Sequence, residues 1–126
     1  MTDTLARQTT GAGAIAGAVA VALGAFGAHA LRGVLDASAL ATWHTAVEYQ
    51  FWHALALVAC GALARHRETR AVRIAACAFV VGIVLFCASL YALALGAPRW
   101  LGAITPLGGV AFIAGWIALA VHARRA

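Results

Sequence analysis

The sequence predicts an all-α fold, a four-transmembrane-helix integral membrane bundle, and three observations lead to that class. The 126 residues are 64% hydrophobic and only 10% charged, whereas soluble domains are about half apolar and about a quarter charged. The apolar residues are gathered in four runs, each close to the roughly 20 residues that a helix needs to cross the hydrocarbon core. Only short connections separate the runs, so residues 1–126 are predicted to form a single domain.

The four predicted spans are, in chain order, approximately 11–31, 40–64, 74–95 and 105–122. Asp36 or Ser38 is positioned to cap the second helix, because its side chain can accept from the unpaired N–H groups of the first turn. For the last helix, Thr105 can act as the cap with Pro106 at the first helical position. Alternatively, that helix begins near Arg99 and kinks at Pro106.

The arginines predict the orientation in the membrane. Seven lie in the N-terminal tail, the middle loop and the C-terminal tail, which four spans place on one side: Arg7, Arg65, Arg67, Arg70, Arg73, Arg124 and Arg125. Arg32 and Arg99 lie on the other side. Because basic loops remain in the cytoplasm, both termini of this multi-pass protein are predicted to be cytoplasmic. Arginines at the ends of apolar runs also argue against nucleic-acid binding, which a pI near 10.1 would otherwise suggest.

Small residues recur along the first span at intervals of three to four and form one face that another helix can approach closely. The residues predicted to serve such helix packing are Gly13, Gly17, Gly24, Gly108 and Gly109. The pair Gly108 and Gly109 is expected to face the glycines of the first helix. The A-x-A pattern at 28–30 resembles a signal-peptide cleavage site, but the apolar run exceeds the usual length and an uncleaved helix is expected.

Polar side chains are predicted to converge in the outer half of the bundle. With a rise of about 1.5 Å per residue, His29 lies level with His44 and Glu48, and the other spans contribute further polar groups. The candidate ligand-binding or polar cluster comprises His29, His44, Glu48, Tyr49, Gln50, His53, Ser89, Tyr91 and Thr105. Within the second span, Glu48 and His53 point about 140° apart, so they cannot face one ligand without help from other helices. Trp43 and Trp100 are expected at the outer interface, as an aromatic belt.

Three functions are compatible with these residues. The favoured one is a non-enzymatic structural or partner protein, in which Glu48 is shallow, paired or protonated because a charge in the bilayer is costly. An alternative is binding or transport of a small ligand or ion around Glu48 and His53. The third is a haem or metal protein that uses His29, His44 and His53.

The motifs favour the first of these functions. No H-E-x-x-H, C-x-x-C-H or nucleophile motif occurs, so we expect no enzymatic activity, no metal and no cofactor. The expected partners are the lipid bilayer and, through the small-residue faces, a second copy or another membrane protein. His66 and His122 lie among the cytoplasmic arginines and are expected to be solvated.

Four ordered segments resemble a known family: GAFGAHAL (24–31), AVEYQFWHALAL (46–57), FCASLYALAL (86–95) and ITPLGGVAFIAGW (104–116). The chain is identified as a member of the domain of unknown function 423 family of small bacterial inner-membrane proteins, whose animal relatives are called transmembrane protein 256. The resemblance covers nearly the whole chain. It implies a four-helix membrane protein and carries no established activity, substrate or cofactor.

Overall fold

The computed structural model describes residues 2–125 as helices joined by short loops. The elements are α1 Thr2–His29, α2 Ala37–His66, α3 Arg70–Gly82, a π-helix Ile83–Cys87, α4 Ala88–Ala94, a 3-10 helix Arg99–Ala103 and α5 Thr105–Arg125. α3, the π-helix and α4 follow one another without a break and form one rod. The chain is therefore a bundle of four helical rods, and the predicted all-α class is confirmed.

Three of the rods are long and apolar enough to cross a membrane, namely 3–29, 70–94 and 99–125. α2 is the longest helix at 30 residues. Its length exceeds what the hydrocarbon core requires, but its middle carries Glu48, Gln50 and His53, which lower its mean hydropathy. Those polar residues set α2 apart from the other rods.

The rods pack side by side in antiparallel order. α1 lies along α2, α2 lies against α3 and α4, and α5 lies along α3 and the π-helix. The main core forms where α2, α3 and α5 meet, and its largest fully buried side chains are Phe79, Leu57 and Val72. A second, smaller core around Leu31 and Trp43 closes the C-terminal end of α1 against the start of α2.

Local chemistry explains where the helices begin and end. The Asp36 carboxylate accepts from the Ala39 N–H at 2.7 Å and caps α2, as the sequence predicts. The Thr69 hydroxyl accepts from the Val72 N–H at 3.2 Å and caps α3 in the same way. After α4, Gly96 has a φ of +94°, a left-handed conformation that lets the chain turn away from the helix.

The predicted cap at Thr105 is wrong. Thr105 already lies in the first turn of α5, and its hydroxyl contacts the Ser89 hydroxyl at 2.6 Å. Helical structure begins at Arg99, where the alternative placed it, although the first five residues form a 3-10 helix. Pro106 then occupies the first turn of α5, where its missing N–H leaves no hydrogen bond unmade.

The glycines of α1 lie against α2 at unequal distances. A Cβ built on Gly13 would lie 2.7 Å from the carbonyl oxygen of Ala54, closer than real Cβ atoms come. At Gly17 the same atom would lie at an ordinary 3.8 Å from the Ala54 Cβ, and at Gly24 it would lie 3.2 Å from Val47 Cγ1. Among these three predicted glycines, close approach of α1 to α2 is most demanding at Gly13. Gly27, which was not predicted, is as tight, since an added Cβ there would lie 2.5 Å from Trp43 Cδ1.

The glycines of α5 face the third rod, which consists of α3, the π-helix and α4. The expectation that they meet α1 is therefore wrong. A Cβ on Gly108 would collide with the backbone of Phe86 in the π-helix, while one on Gly109 would lie a loose 3.9 Å from the Phe86 ring. Gly115 likewise leaves room for the ring of Phe79, whose Cε1 would lie 2.5 Å from an added Cβ. The cause is the packing order, in which α5 lies along α3 while α1 lies along α2.

Candidate functional site

The predicted polar cluster divides into an inner set, whose side chains lie between the rods, and an outer set, whose side chains lie on the outside of the bundle. Six of its members lie buried or half-buried between the rods: Tyr49, Gln50, His53, Ser89, Tyr91 and Thr105. The other three, His29, His44 and Glu48, are exposed on the outside of the bundle. The expectation of a single cluster built around Glu48 is therefore corrected, because α2 turns Glu48 to the surface while it turns Gln50 and His53 inward.

Gln50 links three rods through its side-chain amide. Its Nε2 donates to the carbonyl oxygen of Ala16 in α1 at 2.9 Å, and its Oε1 accepts from the Tyr91 hydroxyl in α4 at 2.8 Å. A carbonyl only accepts, so the Ala16 contact fixes which end of the amide faces α1. Gln50 thereby holds α1 and α4 in register on opposite sides of α2.

His53 has a hydrogen-bond partner at each ring nitrogen. Its Nε2 lies 3.1 Å from the indole nitrogen of Trp116 in α5, and its Nδ1 lies 2.7 Å from the carbonyl oxygen of Tyr49. Because an indole N–H only donates and a carbonyl only accepts, Nε2 must be the acceptor and Nδ1 must carry the proton. The geometry thus selects one neutral tautomer and leaves no lone pair free for a metal or haem iron.

Aromatic rings enclose His53. The Phe112 ring stacks on the imidazole with centroids 3.6 Å apart and planes at 13°, and Phe79 lies at 5.6 Å from the other direction. Tyr49 stacks nearby at 6.1 Å and also meets Phe86 edge to face at 4.6 Å. This set of rings joins α2, α3, the π-helix and α5 around one imidazole.

Ser89 and Thr105 form a second polar contact between rods. The Ser89 hydroxyl lies 2.9 Å from the carbonyl oxygen of Phe86, to which it donates, and 2.6 Å from the Thr105 hydroxyl. The first contact satisfies a carbonyl at the end of the π-helix, where backbone pairing is irregular. The second ties α4 to the start of α5.

Trp43 corrects the expected aromatic belt at the outer interface. Its side chain is only 3% exposed, and its indole N–H donates to the carbonyl oxygen of Leu23 in α1 at 2.9 Å. Its ring also packs edge to face on Tyr91, with centroids 4.7 Å apart. Trp100, by contrast, is 65% exposed. Trp43 is therefore an internal link between α1 and α2.

The interior leaves no polar side chain unsatisfied. Within the described part of the chain, every buried side-chain nitrogen and oxygen has a hydrogen-bond partner. Nor do any three His, Cys, Asp or Glu side chains among these residues lie close enough together to hold a metal ion. The chemistry available inside the bundle is hydrogen bonding between rods.

Of the outer set, Glu48 lines a groove between α1 and α2. The groove has a volume of about 550 Å³, and Ala20 and Gly24 of α1 are among the small residues that line it. Glu48, Phe51 and Trp52 line its α2 side. Among residues 3–125 Glu48 forms no hydrogen bond, and the ion pair in this range joins Arg73 to Glu68 instead. The groove is thus apolar apart from one carboxylate that faces the lipid.

Sequence reasoning missed a link between the start of α3 and the end of α5. His122 is 4% exposed, and its Nδ1 lies 2.8 Å from the Thr69 hydroxyl. Because that hydroxyl already accepts from the Val72 N–H, its own proton can point to His122. The expectation that His122 is solvated is wrong, whereas His66 is exposed. The positions of Thr69 just before a helix and of His122 in the last turns of α5 were the available signals.

Comparisons with known proteins agree with this architecture. Residues 23–109 match the model of a family described as "Protein of unknown function (DUF423)". The chain is 48% identical over 112 residues to the UPF0382 membrane protein YwdK of Bacillus subtilis, an alignment that covers 88% of this chain and 91% of that protein. It is 45% identical over 107 residues to a UPF0382 membrane protein of Haemophilus influenzae, covering 85% of this chain and 86% of the relative. The UPF0382 inner membrane protein YgdD of Escherichia coli is 40% identical over 112 residues, with coverage of 89% and 86%. No solved structure matches the chain.

Proposed function

Since the chain belongs to the DUF423 family and is a helical membrane protein, we propose that it is a non-enzymatic protein that binds another protein within the bilayer. The observation that carries the proposal is the contrast between the two polar sets. The inner groups are hydrogen-bonded between the rods. The Glu48 carboxylate, by contrast, is exposed and forms no hydrogen bond among residues 3–125, on a helix that packs against the three apolar spans.

The inner set supports a structural use. A general acid or base must reach the proton of a substrate within hydrogen-bond distance. Both nitrogens of His53 are engaged by Trp116 and Tyr49, and the Gln50 amide is engaged by Ala16 and Tyr91. His53 therefore has no free ring nitrogen for a substrate, and the Gln50 amide is held between two rods.

The outer set supports a protein partner. A charged carboxylate near the bilayer centre costs at least about 2.5 to 3.5 kcal/mol when it is left unpaired on an isolated helix. A partner that presents a donor to Glu48 removes that cost and covers the groove in the same step. Residues such as Trp52 and Leu55, which are 52% and 55% exposed, extend the surface that such a partner would cover.

Site-specific photo-crosslinking in native membranes tests the proposal. We expect a crosslinker at Leu55 of α2 to yield a discrete protein adduct. The matched control is Ile113 of α5, which is 61% exposed and faces away from the groove, and there we expect crosslinks to lipid alone. Absence of a protein adduct at Leu55, or equal adducts at both positions, would contradict the proposal.

The groove itself favours a second candidate function, the binding of a small amphiphilic cation. One carboxylate beside the rings of Phe51 and Trp52 offers a charge partner and aromatic faces to a cation with an apolar body. We propose Glu48 alone for this alternative, because His53 is buried and both of its ring nitrogens are engaged. A tetraphenylphosphonium ion should then bind the wild type and lose binding in Glu48→Gln, while equal binding to both would exclude this use of the groove.

The inner-membrane location and the cytoplasmic termini complete the proposed setting. The relative from Escherichia coli is named an inner membrane protein. The seven-to-two distribution of arginines supports termini on the cytoplasmic side. In this orientation Glu48 and the groove lie in the outer half of the bilayer.

A further inference from the structure

His44 and Glu48 form a polar pair on the outward face of α2. The two residues are four positions apart and both are exposed, so they lie one above the other on one side of the helix. His44 offers N–H donors and Glu48 offers acceptor oxygens. The face therefore carries a donor and an acceptor that could form an ion pair with complementary groups. The two residues are separated along the helix axis by about one turn, or roughly 6 Å.

Every copy of this chain has the same arginine distribution and is therefore expected to take the same orientation in the membrane. Two copies that meet through α2 are then parallel, and a two-fold axis along the membrane normal relates them. In such an interface residue i of one copy contacts residue j of the other, and j contacts i. His44 of each copy then meets Glu48 of the other, so a single self-complementary face forms two identical pairs.

The rest of the outward face allows two α2 helices to approach. Its exposed positions follow the alternating four- and three-residue spacing of helices that cross at a shallow angle. Small residues flank the bulkier middle of this row: Ala41 precedes the polar pair, Thr45 lies between its two members, and Ala59 and Ala62 follow the exposed Trp52 and Leu55. Small side chains let helix backbones come close in lipid.

We infer that the protein forms a parallel homodimer through the outward face of α2, held by two reciprocal His44–Glu48 pairs between copies. The inference rests on the proposed function, because it names a second copy of the chain as the partner. It accounts for the lipid-facing carboxylate with residues of the chain itself.

A charge-exchange experiment tests the pairs. A chain with His44→Glu has two carboxylates on this face, and a chain with Glu48→His has two imidazoles. Neither can form the pairs with its own copies or within itself, but a mixture of the two restores both pairs across the interface. The measurement is co-purification, in a mild detergent, of two co-expressed chains that carry different affinity tags.

We expect recovery of the second tag to fall about tenfold or more when both chains carry the same substitution, since each lost charged hydrogen bond weakens association by a comparable factor. The mixed pair should recover to the wild-type level. His66→Glu is the matched control: it makes the same change at an exposed position at the other end of α2, and recovery should be unchanged. Measured as monomers in detergent, each variant and the wild type should have the same unfolding temperature, because both substituted side chains point outward.

Four results would overturn the inference. Two of them concern the exchanged charges: either single variant assembles with itself at the wild-type level, or the mixed pair does not co-purify. The third is loss of assembly in His66→Glu. The fourth is a lower unfolding temperature of a variant monomer, which would contradict the outward position of these side chains. The crosslinker at Leu55 separates this inference from the broader proposal. An adduct at twice the 12.9 kDa of one chain supports the homodimer. An adduct with a different protein overturns the homodimer and leaves the partner proposal standing, and the absence of any adduct overturns both.

Discussion

Two side chains of α2, Gln50 and His53, show how polar residues specify a membrane bundle at the scale of single residues. Each uses all of its available atoms on neighbours from other rods or from its own backbone. In lipid, helices lack a hydrophobic drive to associate, so hydrogen bonds and close packing determine which faces meet. Gln50 and His53 therefore fix the rotation of α2 about its axis.

The hydrogen bond between Trp116 and His53 gives the first prediction. Trp116→Phe keeps an aromatic ring against Phe79 but leaves His53 Nε2 without a donor. An unsatisfied buried acceptor costs about 1 to 3 kcal/mol, so unfolding in detergent should occur at a lower temperature. The double variant with His53→Phe should be destabilised by less than the sum of the two single variants, because both partners are then gone. Strictly additive effects would show that this contact contributes nothing.

The unequal spacing of the α1 glycines gives the second prediction. Gly13→Ala places a methyl group 2.7 Å from the backbone of Ala54, which forces the helices apart, whereas at Gly17 the methyl fits at 3.8 Å. Overpacking of this kind costs about 1 to 3 kcal/mol. Thermal unfolding in detergent should therefore show a clear loss of stability for Gly13→Ala, and Gly17→Ala should match or exceed the wild type. A larger loss at Gly17 would mean that α1 is rotated from its described position.

At the scale of the elements, the spacing within α2 separates Glu48 from His53 by about 140°, and the structure places them on opposite sides of the helix. The sequence does not determine which of the two sides faces inward, because apolar and polar residues occur on both. That choice depends on residues distant in the chain, such as Tyr91 for Gln50 and Trp116 for His53. The contact of the α5 glycines with the third rod could not be predicted from the sequence for the same reason, because it too depends on residues distant in the chain.

The attachment of α1 gives the third prediction. α1 lies along α2, and Trp43 of α2 donates to the Leu23 carbonyl near its outer end. Trp43→Phe retains the ring and removes that bond, which should cost about 1 kcal/mol. Hydrogen exchange should then accelerate in the outer half of α1 and remain unchanged in α5. Trp100→Phe is the matched control, because that side chain is 65% exposed and should leave both helices unaffected. Uniform acceleration across the bundle would indicate that α1 does not move as a separate unit.

At the scale of the whole molecule, composition and the lengths of the apolar runs were enough to predict the fold class. They could not predict the division of the polar residues, since composition does not distinguish a side chain that faces lipid from one that faces a neighbouring helix. His122 illustrates the limit: its surroundings in the sequence are basic and polar, yet it is buried against the cap of α3.

The orientation of the molecule gives the fourth prediction. Seven arginines lie on the side of the termini and two on the opposite side, so both ends are expected in the cytoplasm. A reporter that is active only in the cytoplasm should be active when fused after residue 126, and an export-dependent reporter at the same point should be inactive. A fusion after Ala97, between α4 and α5, should give the opposite pattern. Reversed activities would overturn the orientation and, with it, the outer position of the groove.

The π-helix at Ile83–Cys87 has a consequence for how this chain can change in evolution. A π turn accommodates one more residue than an α turn. The extra residue rotates all following side chains by about 100° about the helix axis. With a regular α turn over the same residues, Ser89 and Tyr91 would rotate away from Thr105 and Gln50. Loss of a single codon within this segment would convert the π turn to an α turn and keep the downstream faces aligned, whereas the same deletion within α4 would misalign them. If relatives differ by one residue in the length of this rod, we therefore expect the difference to fall at the π turn.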